Sequence, residues 1–162
     1  MITVAILIIS DSAVAGTRED ASGPALRSRC ESLGWKIATS GGVPDDPTAI
    51  ASRLRDWADA SVAMLILTTG GTGVSPRDVT PEATRSILDR EIPGLGELMR
   101  AKGLEQTKFA PLSRALAGSR KQSLIVNLPG SPAGAVYSLG VIEGLIPHII
   151  DLLAGKTEHG AK

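Results

Sequence analysis

Short, unbroken apolar runs alternate along this chain with stretches whose apolar residues recur at helical spacing. Val4-Ala5-Ile6-Leu7-Ile8-Ile9, Ala63-Met64-Leu65-Ile66-Leu67-Thr68 and Ser123-Leu124-Ile125-Val126-Asn127 are the clearest runs. Continuous rather than alternating apolarity predicts strands covered on both faces, as in a parallel sheet between helical layers. Residues 36–39 are a weaker strand candidate. Between the runs, Leu26, Cys30 and Leu33 stand at i, i+4 and i+7, behind Ser22-Gly23-Pro24 and ahead of Gly34, which are start and stop signals. Ile50, Leu54 and Trp57 repeat that spacing behind Asp46-Pro47, a cap residue followed by a first-turn proline. Thr80-Pro81-Glu82 and Ser131-Pro132 open further helices in the same way, and Pro93-Gly94 separates short helices over 81–89 and 95–102. The last helix is expected to kink or restart at Pro147. This order predicts an α/β three-layer sandwich with a mostly parallel sheet, one domain over residues 1–155 and a disordered polar tail over 156–162. Ligands of such sheets bind beyond the carboxyl ends of the strands. The loops after Ile9, Thr69 and Asn127 are therefore where chemistry is expected.

The middle loop reads Thr69-Gly70-Gly71-Thr72-Gly73-Val74-Ser75-Pro76-Arg77-Asp78. Three glycines in four positions remove side-chain bulk and allow positive φ, so successive N–H groups can converge on an anion. It is not a Walker A sequence, lacking the Gly-Lys-Ser/Thr ending, nor a dinucleotide fingerprint, lacking the third glycine. A plain tight connection would account for a lone glycine pair. The two threonines and the Arg77-Asp78 pair ahead of a helix start favour phosphate binding.

Asp78 stands two residues before the expected N-cap Thr80, where a carboxylate is stabilised by the helix in any case. Asp45 and Asp46 stand together at another helix start; Asp46 is the expected cap, which leaves Asp45 without a structural duty. Two carboxylates from separate strand-end loops also suit a magnesium ion on a triphosphate. Capping and metal binding both stay open here. Ser10-Asp11-Ser12 ends the first run, and turn chemistry explains most of the polar loop leading through Gly16 and Asp20 to Ser22-Gly23. Only the strand-end position speaks for ligand contact by Ser10 or Asp11. Asn127-Leu128-Pro129-Gly130-Ser131-Pro132 suits a rigid turn and an anion site at a helix start equally. Ser113-Arg114 has no histidine near it in sequence, so a catalytic serine dyad has no support. Cys30 and Trp57 read as core.

Seventeen basic and 17 acidic residues leave no net charge, without the basic excess typical of nucleic-acid binders. No apolar stretch approaches the ~20 residues of a membrane span, and the apolar start lacks a basic flank. A cytoplasmic protein is expected. One cysteine and two histidines exclude a disulfide scaffold and a Cys/His zinc site within one chain, so a metal would be a hard ion held by oxygens. Aromatic residues make up 2% of the chain, too few for a site built on ring stacking.

Thr68-Thr69-Gly70-Gly71-Thr72-Gly73, Pro76-Arg77-Asp78-Val79-Thr80-Pro81-Glu82-Ala83-Thr84 and Asn127-Leu128-Pro129-Gly130-Ser131-Pro132 resemble the molybdopterin-binding domain family. Ser10-Asp11-Ser12, Asp20-Ala21-Ser22-Gly23-Pro24 and Val43-Pro44-Asp45-Asp46 match its pattern in the same order, over residues 2–155. The resemblance implies an α/β sandwich that assembles as a homotrimer. It also implies Mg-dependent adenylation of molybdopterin by ATP, as in bacterial Mog-type proteins and the plant Cnx and gephyrin G domains. Adenylyl-molybdopterin and pyrophosphate are the products, and the former passes to a separate molybdenum insertase. Position by position, the resemblance implies Asp45 and Asp78 as the essential acidic residues and metal ligands. Ser113 and Asn127 fall at the molybdopterin end. Ser10, Asp11, Ser22, Gly23, Thr69, Gly70, Gly71, Thr72, Gly73, Pro129, Gly130 and Ser131 complete the pocket. Moa-B-type relatives, which bind molybdopterin without being the main adenylyltransferase, are the alternative; residues 91–99 look closer to the Mog and plant type.

Overall fold

Six strands form one sheet in the order β2-β1-β3-β6-β5-β4 in a computed structural model that describes residues 1–157. Of the polar tail, residues 158–162, including His159, lie outside the described residues. β1 (Thr3–Ile9), β2 (Lys36–Val43), β3 (Leu65–Thr69) and β6 (Ser123–Leu128) are parallel. These are the three apolar runs and the weaker candidate, which extends four residues further than expected, to Val43; β3 and β6 are buried at every position. Two strands were not expected: β4 (Arg90–Glu91) pairs antiparallel with β5 (Ala117–Arg120), which pairs antiparallel with β6.

The strand period of two divides the interior. Val4, Ile6, Leu65, Leu67, Leu124 and Val126 point to one face, where α2 (Ser22–Ser32), α5 (Pro93–Gly103), α6 (Pro132–Ile142) and α7 (Ile146–Leu153) cover them. Ala5, Leu7, Ile9, Ile66 and Ile125 point to the other, under α3 (Pro47–Asp59) and α4 (Thr80–Arg85). Each fully buried Leu or Ile contributes about 1.5–3 kcal/mol over exposure, so the two faces, more than local propensity, hold the helices in place. Cys30 is core, and burial pushes its thiol up to about 11. Trp57 is partly buried against the second face with Arg53 over its ring at 5.5 Å.

Asp46 caps α3 by accepting from the Ala49 amide at 2.8 Å, and Ser131 caps α6 by accepting from Gly134 at 3.1 Å. The final helix does restart before Pro147: α6 and α7 meet at 65°. No single helix among the described residues is long and apolar enough to cross a membrane.

Candidate active site

The chain leaves β1 for β2 on one side and comes back through α3 to β3 on the other. The connections from the carboxyl ends of β1 and β3 therefore part, which opens the crevice where ligands of open α/β sheets bind. A polar cleft of about 500 Å³ occupies that place. Ser10 and Asp11 enter it from β1 and the short helix α1 (Asp11–Val14), and Ser22 from the start of α2. Asp45 comes from the β2–α3 loop, and Thr69, Gly70, Gly71 and Asp78 from the β3–α4 loop. Gly130 and Ser131 line it where α6 begins. Four strand-end loops and three helix starts thus face one volume.

The glycine loop owes its path to missing side chains. Gly70 has φ +103°, and a Cβ there would stand 2.3 Å from the Ile9 carbonyl oxygen. Gly71 has φ +68°, and a Cβ there would meet the Thr80 hydroxyl at 2.3 Å and an Asp45 oxygen at 3.2 Å. Gly130 brings its backbone against Gly70, with a Cβ 3.3 Å from that Cα. The Thr69 hydroxyl ties the same two loops by donating to the Pro129 carbonyl at 2.8 Å. The N–H of Gly70 is occupied by the Leu128 carbonyl, whereas those of Gly71, Thr72 and Gly73 make no hydrogen bond to the described residues. Successive unpaired N–H groups of this kind attract an anion.

Asp45 has a structural duty after all. Its carboxylate accepts from the Asp11 amide at 3.0 Å while the Asp45 amide donates to the Asp11 carboxylate at 2.9 Å. Asp11 also pairs with Arg77, whose Nε donates to it at 3.1 Å. That guanidinium, with the Asp45 amide, holds the Asp11 carboxyl below its usual range. Burial pushes the Asp45 carboxyl the other way; the hydrogen bond from Asp11 opposes the rise and the charges of Asp11 and Asp78 add to it. Asp78 accepts from the Ser75 amide at 2.9 Å, closing the loop rather than capping α4. The expected cap, Thr80, is also reassigned: Val79 is the N-cap, and the Thr80 hydroxyl donates to the Gly70 carbonyl at 3.0 Å.

Five carboxylates line the cleft (Asp11, Glu19, Asp20, Asp45 and Asp78) against one guanidinium, Arg18. Asp20 is committed to the start of α2, accepting from Ser22 at 3.2 Å and from the Gly23 amide at 3.1 Å. No cluster of three or more His, Cys, Asp or Glu fit to hold a metal occurs among the described residues. Two carboxylates with nearby hydroxyls nonetheless fit magnesium, which takes one or two protein carboxylates and draws its other ligands from phosphates and water.

A second cavity of about 180 Å³ adjoins the first and shares Ser131 with it. Ser113 and Pro129 line this cavity with Met99, Phe109 and Tyr137, and its walls are mainly apolar. Gly23, Thr72 and Gly73 line neither cavity. Asn127 reaches neither cavity. It is fully buried, donating to the hydroxyls of Thr68 at 3.1 Å and Thr84 at 3.0 Å, and so joins β6 to β3 and α4. Arg18, Glu19 and Asp20 were missed as wall residues; their charge was visible in the sequence, but the fold of the loop that turns them inward was not.

The family described as "probable molybdopterin binding domain" matches residues 5–148. A molybdopterin adenylyltransferase of Helicobacter pylori is 37% identical over 96% of this chain and 89% of its own length. The Escherichia coli molybdopterin adenylyltransferase is 38% identical over 94% and 85%. The molybdenum cofactor synthesis protein cinnamon of Drosophila melanogaster is 41% identical over 94% of this chain, which spans only 26% of that protein. Among solved structures, the molybdopterin biosynthesis enzyme MoaB of Thermus thermophilus superposes with a TM-score of 0.90 at 49% identity, covering 96% of this chain and 98% of that one. The Mog protein of Mycobacterium ulcerans gives 0.87 at 38% identity, covering 94% and 99%.

Proposed function

The chain belongs to the molybdopterin-binding domain family, and from that premise we propose that it is a molybdopterin adenylyltransferase of molybdenum cofactor synthesis. The observation that carries this reading is the pairing of two cavities. A polar cleft with a glycine loop and helix starts suits a triphosphate, and a smaller apolar cavity joins it at Ser131. ATP fits the first and the pterin the second, so that the pterin's phosphate meets the α-phosphorus of ATP near their junction.

The reaction joins an oxygen of that phosphate to the α-phosphorus and breaks the bond from the α-phosphorus to the bridging oxygen, releasing pyrophosphate. A phosphate oxygen is already nucleophilic at neutral pH and needs no general base. The lack of a Ser-His or Cys-His pair in the cleft therefore fits the chemistry. What the chain must supply is position and charge stabilisation. The N–H group of Gly71 and the start of α6, both in the wall of the cleft, bind and orient phosphate oxygens. Asp45 and Asp78 would hold Mg²⁺ beside the triphosphate. The ion, when bound, neutralises phosphate charge beside the five carboxylates. Ser113 and Pro129 orient the pterin end. Asn127 acts indirectly, by fixing β6 against β3. On the family resemblance we further propose a homotrimer in the cytoplasm that passes its product to a molybdenum insertase.

The resemblance also offers a second reading, a non-catalytic Moa-B-type protein that binds and carries molybdopterin on the same fold, and the Thermus MoaB enzyme is 49% identical to this chain. The purified protein with ATP, Mg²⁺ and molybdopterin should release pyrophosphate only when all three are present. Asp78→Asn should lower that rate by at least about 10²-fold, the scale on which charge-positioning groups act, with an unchanged circular dichroism spectrum. Binding of molybdopterin without release establishes the carrier instead. Full activity in Asp78→Asn removes the carboxylate pair from the mechanism.

A further inference from the structure

Arg114 lies outside the wall of the cleft, between the 3-10 turn Ala110–Leu112 and β5. It nevertheless spans both ends of the loop that carries Gly73 and Asp78. Its backbone N–H donates to the Thr72 carbonyl at 2.8 Å. Its Nε donates to the Gly73 carbonyl at 2.7 Å and its Nη2 to the Asp78 carbonyl at 2.7 Å. Its Nη1 pairs with the Glu82 carboxylate on α4. Two of these carbonyls precede the exposed stretch 74–77 and one follows it, so a single residue ties off the loop at its neck. Other restraint on the stretch is modest: the Ser75–Asp78 turn, a long 3.4 Å contact from the Arg77 amide to the Ser75 hydroxyl, and the Arg77–Asp11 pair. A guanidinium is a rigid planar fork and can serve these acceptors together; a lysine ammonium is a point charge and cannot.

The same segment borders the second cavity. Ser113 lines that cavity, and Arg100, also in its wall, donates to the Ala115 carbonyl at 2.8 Å. Arg114 is thus anchored on the pterin side of the proposed reaction centre and holds the nucleotide side.

We propose that Arg114 is a positioning residue, whose guanidinium fixes residues 72–78 in the shape that presents Asp78 to the cleft. It lines neither cavity. The inference rests on the adenylyltransferase reading of that cleft, but its structural half can be tested without substrate. The side chain is 37% exposed, so water can replace the guanidinium at the carbonyls, and the fold is expected to survive its loss.

The experiment compares the full-length protein with Arg114→Ala and Arg114→Lys by residue-resolved amide hydrogen exchange in the absence of ligands, and by pyrophosphate release. In both variants the Ser75 and Asp78 amides should exchange about tenfold faster or more while β1 and β3 keep their protection, a local opening and not a global one. kcat should fall on the order of 10²-fold, the effect of a displaced catalytic group. KM for molybdopterin should stay within about twofold, and the Mg²⁺ concentration for half-maximal rate should rise. Unchanged exchange at Ser75 and Asp78, or recovery of full kcat by the lysine, overturns the proposal. If Arg114→Ala does not fold, Arg114→Lys carries the test, since it keeps the charge and most of the length. If the unsubstituted protein itself releases no pyrophosphate, the functional reading fails, and the exchange result still decides whether Arg114 holds the loop.

Discussion

Asp11 and Asp45 exchange amide-to-carboxylate hydrogen bonds, yet their carboxyls are shifted in opposite directions. Asp11 meets a guanidinium, whereas Asp45 is partly buried beside other carboxylates. The stability consequences also have opposite signs. Asp11 contributes stability above its unfolded value of about 3.9, and this is lost as pH falls through its lowered folded value. Asp45 favours the folded state only when protonated; that contribution is present below about pH 3.9 and lost as pH rises through its raised folded value. At neutral pH the Asp45 charge therefore works against the fold, a cost usual at functional sites. Asp45→Asn keeps an acceptor for the Asp11 amide and removes the charge. It is expected to melt higher than the parent at about pH 7, to lose that advantage near pH 4, and to be inactive in the pyrophosphate assay. Thermal melts at the two pH values check this, and an Asn variant that melts lower at neutral pH contradicts it. From the sequence, Asp45 stood out because Asp46 already served as cap. Its reciprocal bond to Asp11 could not be read there, because the two residues are brought together only when β1 and β2 pair.

At the scale of elements, the join between β3 and α4 decides the shape of the site. Thr80, fully buried, donates its hydroxyl to the Gly70 carbonyl and its amide to the Gly71 carbonyl at 3.1 Å. The first turn of α4 is thereby fastened onto the glycine loop. Thr80→Val keeps the shape and removes the hydroxyl, leaving a buried acceptor short of a partner at a cost of about 1–3 kcal/mol. Urea unfolding should show a lower midpoint with an unchanged slope; an unchanged midpoint means that the bond carries no stability. The buried strands and α3 were legible because their signals are local: unbroken apolar runs, a cap and a following proline. β4 and β5 were not. Ala117-Gly118-Ser119-Arg120 has no apolar run to mark it, and β5 exists because β6 offers it an edge. Gly118 is needed there, since a Cβ would come 2.4 Å from the Arg90 carbonyl oxygen. The four residues of α1 were likewise hidden in a polar loop whose order comes from Ser10, which accepts from the Ala13 amide at 3.2 Å.

For the whole molecule, the parallel order of the apolar strands pointed to the strand ends as the place for a site. The sequence could not show that this place divides into two cavities, because the second is walled by α5, α6 and the Ser113 segment, which meet only in the packed chain. The division has a thermodynamic consequence. A cleft lined by five carboxylates and one guanidinium repels a bare triphosphate, and the N–H groups of Gly71 and of the α6 start offset only part of that repulsion. A ligand that binds the folded state alone stabilises it by about 2.7 kcal/mol at 100 times its Kd. At about 2–4 °C per kcal/mol for a chain of this size, Mg-ATP at that excess should raise Tm by roughly 5–10 °C. ATP with a chelator present should give much less at the same concentration, because the carboxylates then face uncompensated phosphate charge. Molybdopterin without nucleotide should stabilise the protein with or without Mg²⁺, since its cavity is mainly apolar. Differential scanning fluorimetry of the free protein with each ligand separates these cases. Equal stabilisation by ATP with and without Mg²⁺ would show that the N–H groups suffice and that Asp45 and Asp78 act through something other than the metal.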